Sequence, residues 1–232
     1  MIETILGKTV KGLDVKGYFF GDETAFNKTL IIGGIHGVEP QSKEVCDLFL
    51  NTIKGQGDHT PTSFYSDCFL ILIPCLNPDG LLSKTRGNAN GVDLNRNFPS
   101  STWKNIPLAG NSSYYPGIKP ASEPETQIIV DLLNKYNFKK IIAVHTNHTI
   151  AFPNPPMVNY DGEHSRELAE KISHATGLMA KGDIGYPTPG SLGTWIGFDL
   201  KKISVTLELD DTKSASELYK KHRRFFEVGI IS

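Results

Sequence analysis

Short β-rich runs alternate with segments of helical period along this chain, the pattern of a mostly parallel sheet flanked by helices. Four runs carry the apolar weight: TLIIGGI (Thr29 to Ile35), CFLILIP (Cys68 to Pro74), KIIAVH (Lys140 to His145) and ISVTLEL (Ile203 to Leu209). Their nearly unbroken apolar character predicts central strands covered on both faces. Val45, Leu48, Phe49 and Ile53 recur at helical spacing after the first run, and Ile128, Ile129, Leu132, Leu133 and Tyr136 do so before the third. Ser122 and Glu125 predict a capping box at the start of that second helix, with Pro124 in its first turn. Further helices are predicted over about 163–175 and 215–227.

Two stretches break the alternation. From Cys75 to Ala121 the chain is rich in Asn, Gly, Ser and Pro and has almost no periodic apolar spacing, and an irregular segment of that length inside a compact domain is usually functional. Phe152 to Asp161, with Pro153, Pro155 and Pro156, reads as a second, surface loop. No repeat, low-complexity tract or linker divides the chain. The expectation is one α/β domain over 1–232, three layers (α/β/α) around a twisted, mixed, mostly parallel sheet.

Composition narrows the class of function. At 232 residues the chain can bury a core without staples. Its three cysteines, Cys46, Cys68 and Cys75, form no CxxC pair and are too few for a disulfide framework, which fits a reducing compartment. A formal charge of −1 with no basic run argues against nucleic acid or an anionic membrane surface as a partner. The polar N-terminal segment lacks the apolar core of a signal peptide, and no window approaches the ~20 apolar residues of a membrane span. A cytoplasmic location is expected.

In an open α/β sheet, ligands bind beyond the carboxyl ends of the strands. Four polar groups stand there: His36 after TLIIGGI, Asn77-Pro78-Asp79-Gly80 after CFLILIP, His145 ending KIIAVH, and Glu208 near the end of ISVTLEL. His36 and Glu39, three residues apart at a strand-to-helix turn, can aim at one point. A distant His145 completes a three-ligand zinc site with a position open for water. Alone, an HxxE is as readily a structural turn histidine. Gly33, Gly34 and Gly37, which ease close backbone approach, and the matching strand end at His145 tip the balance to metal. His148 offers itself as third ligand instead; it ranks lower because KIIAV leads directly into His145. The remaining histidines, His59, His164, His174 and His222, sit among polar residues and are expected to face solvent.

The stretch TRGNANGVDLNRNFP, Thr85 to Pro99, carries Arg86, Arg96 and Asn95, a set of donors suited to a carboxylate and a developing oxyanion, or else a polar turn. Serine chemistry lacks a GxSxG elbow. Gly7-Lys8-Thr9 lacks the first glycine of a Walker loop, and no GxGxxG follows a strand.

Taken in order, HGVE, NPDG, RGNANGVDLNRNFP, SEPET, AVH, GYPTPGSLGTW and TLEL resemble the zinc carboxypeptidases of the carboxypeptidase A type, and specifically the short bacterial branch of murein peptide amidases. The resemblance, which runs from His36 to Glu208, implies a zinc carboxypeptidase-like fold and one Zn2+ per chain. It implies His36, Glu39 and His145 as zinc ligands and Glu208 as general base and later general acid. Arg86 matches the arginine that polarises the scissile carbonyl, and Asn95 and Arg96 match the clamp for a free α-carboxylate. Asp93 matches the carboxylate that orients the first histidine ligand, and Tyr186 matches the mobile tyrosine that closes over substrate. The partner implied is a small peptide with a free C-terminal carboxylate, such as L-Ala-γ-D-Glu-meso-diaminopimelate cut at the γ-D-Glu amide. Gly193 leaves room near the specificity position. A deacylase of the aspartoacylase or succinylglutamate desuccinylase kind shares HxxE and a DLNR-like segment and is the alternative. A non-catalytic metal- or peptide-binding module would need neither a base nor an oxyanion donor.

Overall fold

The computed structural model describes residues 1–55, 67–107, 110–147 and 156–232. Its strands are β1 (Ile2–Lys8), β2 (Asp14–Gly21), β3 (Asn27–Ile32), β4 (Cys68–Ile73), β5 (Lys140–Asn147), β6 (Met157–Asp161), β7 (Met179–Lys181) and β8 (Ile203–Asp210). The helices are α1 (Pro40–Ile53), α2 (Pro78–Ser83), α3 (Pro124–Lys135), α4 (Arg166–Thr176), α5 (Leu192–Thr194) and α6 (Ala215–Ile231). All strands join one sheet in the order β1-β2-β4-β3-β5-β8-β6-β7. The four apolar runs form its centre, β4-β3-β5-β8, and pair in parallel. The β1-β2 pair adds antiparallel at one side and β6 adds antiparallel to β8 at the other. This mixed, mostly parallel α/β sheet is the predicted fold class. No helix among the described residues is long and apolar enough to cross a membrane.

Period-2 alternation assigns the two faces. Ile31, Leu70, Leu72, Ile142, Val144, Val205, Leu207 and Leu209 point to a core shared with Phe49 of α1, Ile172 of α4 and Phe225 and Phe226 of α6. Leu30, Ile32, Ile71, Ile73, Ile141 and Ala143 point the other way, onto Ile129 of α3, Phe98 and Trp195. The second face changes character along β8. Ser204, Thr206 and Glu208 alternate with the apolar set and line a cavity, so this strand is not apolar on both sides as its composition suggested. Register places His145 beside Glu208.

Three local expectations are corrected. The predicted loop over Phe152–Asp161 becomes β6 at its C-terminal half, Met157–Asp161; its residues 152–155 lie outside the described residues. The Ser122–Glu125 capping box does not form, because the N-cap is Glu123 and Ser122 Oγ donates to Glu123 Oε1 instead. The end of α3 is satisfied from outside: Asn97 Oδ1 accepts from the Glu123 amide and the Thr126 hydroxyl. A capping box does form at Ser214 and Glu217, at the start of α6.

The third correction is His222. His164 and His174 are exposed and His59 lies outside the described residues, but His222 is 2% exposed and neither ring nitrogen has a hydrogen-bond partner. Its neighbours Lys220, Lys221, Arg223 and Arg224 suggest solvent. Helical phase decides otherwise, since Leu218, His222, Phe225 and Phe226 fall on one buried stripe of α6. Burial, assisted by the Lys221 charge, pushes this ring down to about 4 from its ordinary 6.5. The unfolded chain therefore binds the extra proton between those values, and stability falls as pH drops through that window. His222→Leu is expected to add about 1–3 kcal/mol at neutral pH and to flatten this part of the acid limb. Urea unfolding at neutral and mildly acidic pH checks it, and a variant less stable at both pH values overturns it.

Candidate active site

The first histidine is delivered by a tight backbone. After β3, Gly34 takes φ +58, and a Cβ there would lie 2.9 Å from Cys75 Cα. The turn is stitched to the residues after β4 by Leu76 N–H to Gly33 O and Asn77 N–H to Gly34 O. Glu39 is the N-cap residue of α1, with Pro40 following, and its carbonyl accepts from Ser42 Oγ at 2.7 Å. His36 and Glu39 are 2% and 8% exposed, and His145, inside β5, is 5% exposed.

These three side chains meet. One ligand atom from each of His36, Glu39 and His145 lies within 4.8 Å of the others. Glu39 Oε1 is 2.6 Å from His36 Nδ1, and Oε2 is 3.0 Å from His145 Nδ1 and accepts from the Thr146 amide at 3.1 Å. The far nitrogen of His36, Nε2, is 3.0 Å from Asp93 Oδ1. His148, the alternative third ligand, lies outside the described residues.

Around the trio, charges alternate. Arg86 Nε donates to Asp93 Oδ2 at 2.9 Å, and Arg86 Nη1 is 3.7 Å from Glu39 Oε1. The Asn95 amide also donates to Asp93 Oδ1. Burial and the Arg86 charge press His36 down, yet the Glu39 and Asp93 carboxylates outweigh them and hold it above its ordinary value. Burial alone would raise Glu39 and Asp93; the imidazoles around Glu39, and His36 with Arg86 beside Asp93, hold both below the usual carboxylate range. Two imidazoles and a carboxylate that converge on one point are a fit donor set for zinc. A carboxylate on Nε2 of His36 leaves Nδ1 as its ligating atom.

A cavity of about 660 Å³ opens over the trio. Arg86, Asn95, Arg96, Tyr186 and Glu208 all line it, so each predicted site residue reaches this cavity or touches one that does. Arg96 is 2% exposed, with Nη1 donating to the Asn95 carbonyl and no partner on Nε. Asn95 Oδ1 accepts from the Leu192 amide. Burial pushes Glu208 up to about 7, and it raises the Tyr186 phenol as well. Tyr114 and Asp161 are among the lining residues that the sequence reading did not single out. Tyr114 places its ring 4.9 Å from the Arg86 guanidinium and 5.5 Å from that of Arg96, a cation–π contact to each. Asp161, at the end of β6, was hidden by the loop reading; the alternation in MVNYD was its only signal.

A three-donor cage with an open side and a carboxylate in the adjoining wall is the arrangement of mononuclear metal hydrolases. The family is shown by comparison: residues 2–227 match the zinc carboxypeptidases, and the chain belongs to that family of hydrolytic enzymes. It is 35% identical over 205 residues to murein peptide amidase A of Escherichia coli K12, covering 82% of this chain and 75% of the relative. Against murein peptide amidase A of Vibrio campbellii it is 30% identical over 229 residues, 94% of this chain and 83% of the relative. The crystal structure of murein-tripeptide amidase MpaA from Escherichia coli O157 superposes with a TM-score of 0.73 at 28% identity, covering 98% of this chain and 90% of that one. These relatives do not favour the deacylase alternative.

His36 is held above its ordinary value by the two carboxylates beside it, so a divalent metal competes with a proton there. Zinc affinity is expected to fall as pH drops, with proton release visible in calorimetric titrations run in buffers of different ionisation enthalpy. Asp93→Asn should weaken zinc about 10–100-fold. Affinity independent of pH would overturn this account of the cage.

Proposed function

We propose that this chain is a zinc-dependent murein peptide amidase that cuts the γ-D-Glu–meso-diaminopimelate amide of the murein tripeptide, next to a free carboxylate. The convergence of His36, Glu39 and His145 beside Glu208 carries the reading, and the likeness to murein peptide amidases supplies the substrate. One zinc per chain is held by the trio, and Asp93 fixes the His36 ring. When bound, zinc makes its water acidic and polarises a carbonyl. The cysteine usage supports a cytoplasmic setting.

The protein's own groups do the rest. Glu208 is the general base: it takes a proton from the attacking water and returns it to the departing amine. A carboxyl pushed up to about 7 by burial is poised for both transfers at neutral pH. Arg86, its Nε occupied by Asp93, turns its remaining N–H groups to the carbonyl oxygen as charge develops there. Arg96, with the Asn95 amide nitrogen, takes the free α-carboxylate. Tyr114 lies against both guanidinium groups and limits their rotation. Tyr186, 39% exposed at the cavity, covers bound substrate and excludes water.

Glu208→Gln is expected to keep zinc and lose about 10²–10⁴ in kcat, and Arg86→Ala to keep zinc and lose about 10²–10³. In the wild type kcat/KM should fall as pH drops through the Glu208 pKa, because only the ionised base accepts a proton. Mass-spectrometric detection of released diaminopimelate, beside a panel of N-acyl amino acids, is the assay. Near wild-type turnover by Glu208→Gln would remove the base. Undiminished cleavage of a substrate whose α-carboxylate is amidated would remove the Asn95–Arg96 clamp.

A further inference from the structure

Arg86, Asp93, Asn95 and Arg96 all ride on one irregular segment, whose single regular piece is the 3-10 turn Leu94–Arg96. Such a segment needs its shape imposed from outside, and two buried asparagines do so. Asn88, 3% exposed, makes all four hydrogen bonds open to a side-chain amide. Its Oδ1 accepts from the Asn90 and Val92 amides, and its backbone N–H donates to the Val92 carbonyl, so residues 88–92 close into a loop. Closure brings Asp93 back to Arg86. The chain doubles on itself so tightly that a Cβ on Gly87 would lie 2.7 Å from the Gly91 carbonyl carbon. Outward, Asn88 Nδ2 donates to Glu123 Oε2 at 2.8 Å and to Glu125 Oε2 at 2.9 Å.

Asn97, wholly buried, fastens the other end directly after Arg96. Its Nδ2 donates to the Pro116 carbonyl at 2.8 Å, beneath Gly117, where a Cβ would lie 2.6 Å from that nitrogen. Its Oδ1 accepts from the Glu123 amide and the Thr126 hydroxyl. Both ends of the segment therefore land on the start of α3. Glu123 is their shared point: its carboxylate takes Asn88 and Asn90, and its backbone N–H donates to Asn97. That point is a fixed reference. Ile128, Ile129 and Leu132 seat α3 in the core, and Glu125 Oε1 accepts from the Val10 amide of the β1–β2 turn. Neither carboxylate has an ion-pair partner among the described residues; N–H donors and the helix N-terminus compensate them.

We infer that Asn88 and Asn97 are positioning residues for the reaction and that their effects separate. Asn88 sets Arg86 and Asp93, hence the contact to the scissile carbonyl and the orientation of the His36 ring. Asn97 sets Asn95 and Arg96, hence the contact to the α-carboxylate. The inference rests on the proposed amidase reading for the roles of those four groups and adds what holds them in place. Chemistry explains why an amide stands at position 88. Asn88→Asp keeps the shape, but it removes both donors and faces two buried carboxylates with a third acceptor. The tether is then broken without a hole being left.

The test uses the full chain and measures zinc affinity by calorimetry, with kcat and KM on the murein tripeptide and on its α-carboxyl-amidated form. Asn88→Asp is expected to lower kcat about 10- to 100-fold by displacing Arg86 and to weaken zinc about 10-fold through Asp93, with KM little changed. Adding Glu125→Gln returns an N–H donor to the pair and should recover part of both losses. Asn97→Asp should raise KM about 10-fold and shrink the preference for a free α-carboxylate, with zinc affinity and kcat within about threefold of wild type. Tyr219→Phe, which removes a hydroxyl contact to Thr52 remote from the site, is the control for lost stability alone and should move none of these. Equal effects of the two aspartate variants on zinc affinity and KM, no effect of either, or a double variant no better than Asn88→Asp overturns the inference and leaves the amidase reading standing. If the wild type cleaves no murein peptide, the amidase reading falls and zinc affinity decides alone. Weakening by Asn88→Asp, part recovery with Glu125→Gln and no change in Asn97→Asp then supports the inference, and any other pattern overturns it. Asn88→Ala and Thr126→Val, which delete contacts of the same two amides without placing a charge, replace a variant that does not fold.

Discussion

The Glu39 carboxylate is the point on which the site hangs. It is the N-cap residue of α1, yet its two oxygens face His36 from its own turn and His145 with the Thr146 amide from β5, over a hundred positions away. A buried carboxylate is tolerable only when its charge is met. Here the compensation runs as a chain, from Arg86 to Asp93, to His36, to Glu39, to His145. Asp93 lies between Arg86 and His36, and Glu39 between His36 and His145. A divalent cation among His36, Glu39 and His145 would keep the Glu39 charge compensated, so the cage needs little reorganisation to bind metal.

Strand parity supplies the second half of the site. Ile142 and Val144 of β5 and Val205, Leu207 and Leu209 of β8 face α1, α4 and α6, and the fold draws much of its core from that side. The opposite parity begins apolar, with Ile141 and Ala143, and then turns polar at His145 in β5 and at Ser204, Thr206 and Glu208 in β8. Because β5 and β8 are parallel and in register, the change delivers a ligand and the proposed base side by side. The antiparallel β6 extends the polar strip outward and supplies Asp161. A one-residue slip of β8 would exchange Ser204, Thr206 and Glu208 for Val205, Leu207 and Leu209.

How much of this was legible follows from where the signal resides. His36, Glu39, His145 and Glu208 could be read because all stand at or near the ends of strongly apolar runs, where topology alone makes chain segments converge. The segment from Cys75 to Ala121 could be flagged but not resolved, since Asp93 and Arg86 are placed by side-chain pairing, which leaves no periodic trace. The β1-β2 pair went unread because β1 is largely exposed at the sheet edge and shows no buried alternation. His222 was misplaced for a different reason. Its immediate neighbours are cationic, but burial on a helix is decided by residues three and four positions away, not by those adjacent.

The NPDG turn braces the loop that carries His36 without lining the cavity itself. Asn77 is wholly buried: its Oδ1 caps α2 by accepting from the Gly80 amide, and its Nδ2 donates to the Ile35 carbonyl, one residue before the first ligand. Its own amide donates to Gly34. Gly80 packs so closely on the loop that a Cβ on Gly37 would lie 1.9 Å from the Gly80 carbonyl carbon. Asp79, at the same turn, accepts from the Lys11 amide and ties it to the β1-β2 connection. The approach is possible only because Gly37 carries no side chain, and with the Asn77 contact to Ile35 it holds the backbone on both sides of His36. A ligand held by the sheet through β3 alone would ride on a flexible glycine turn. Braced from β4 through Asn77 and Gly80, it is held where Glu39 and His145 can share one ion with it.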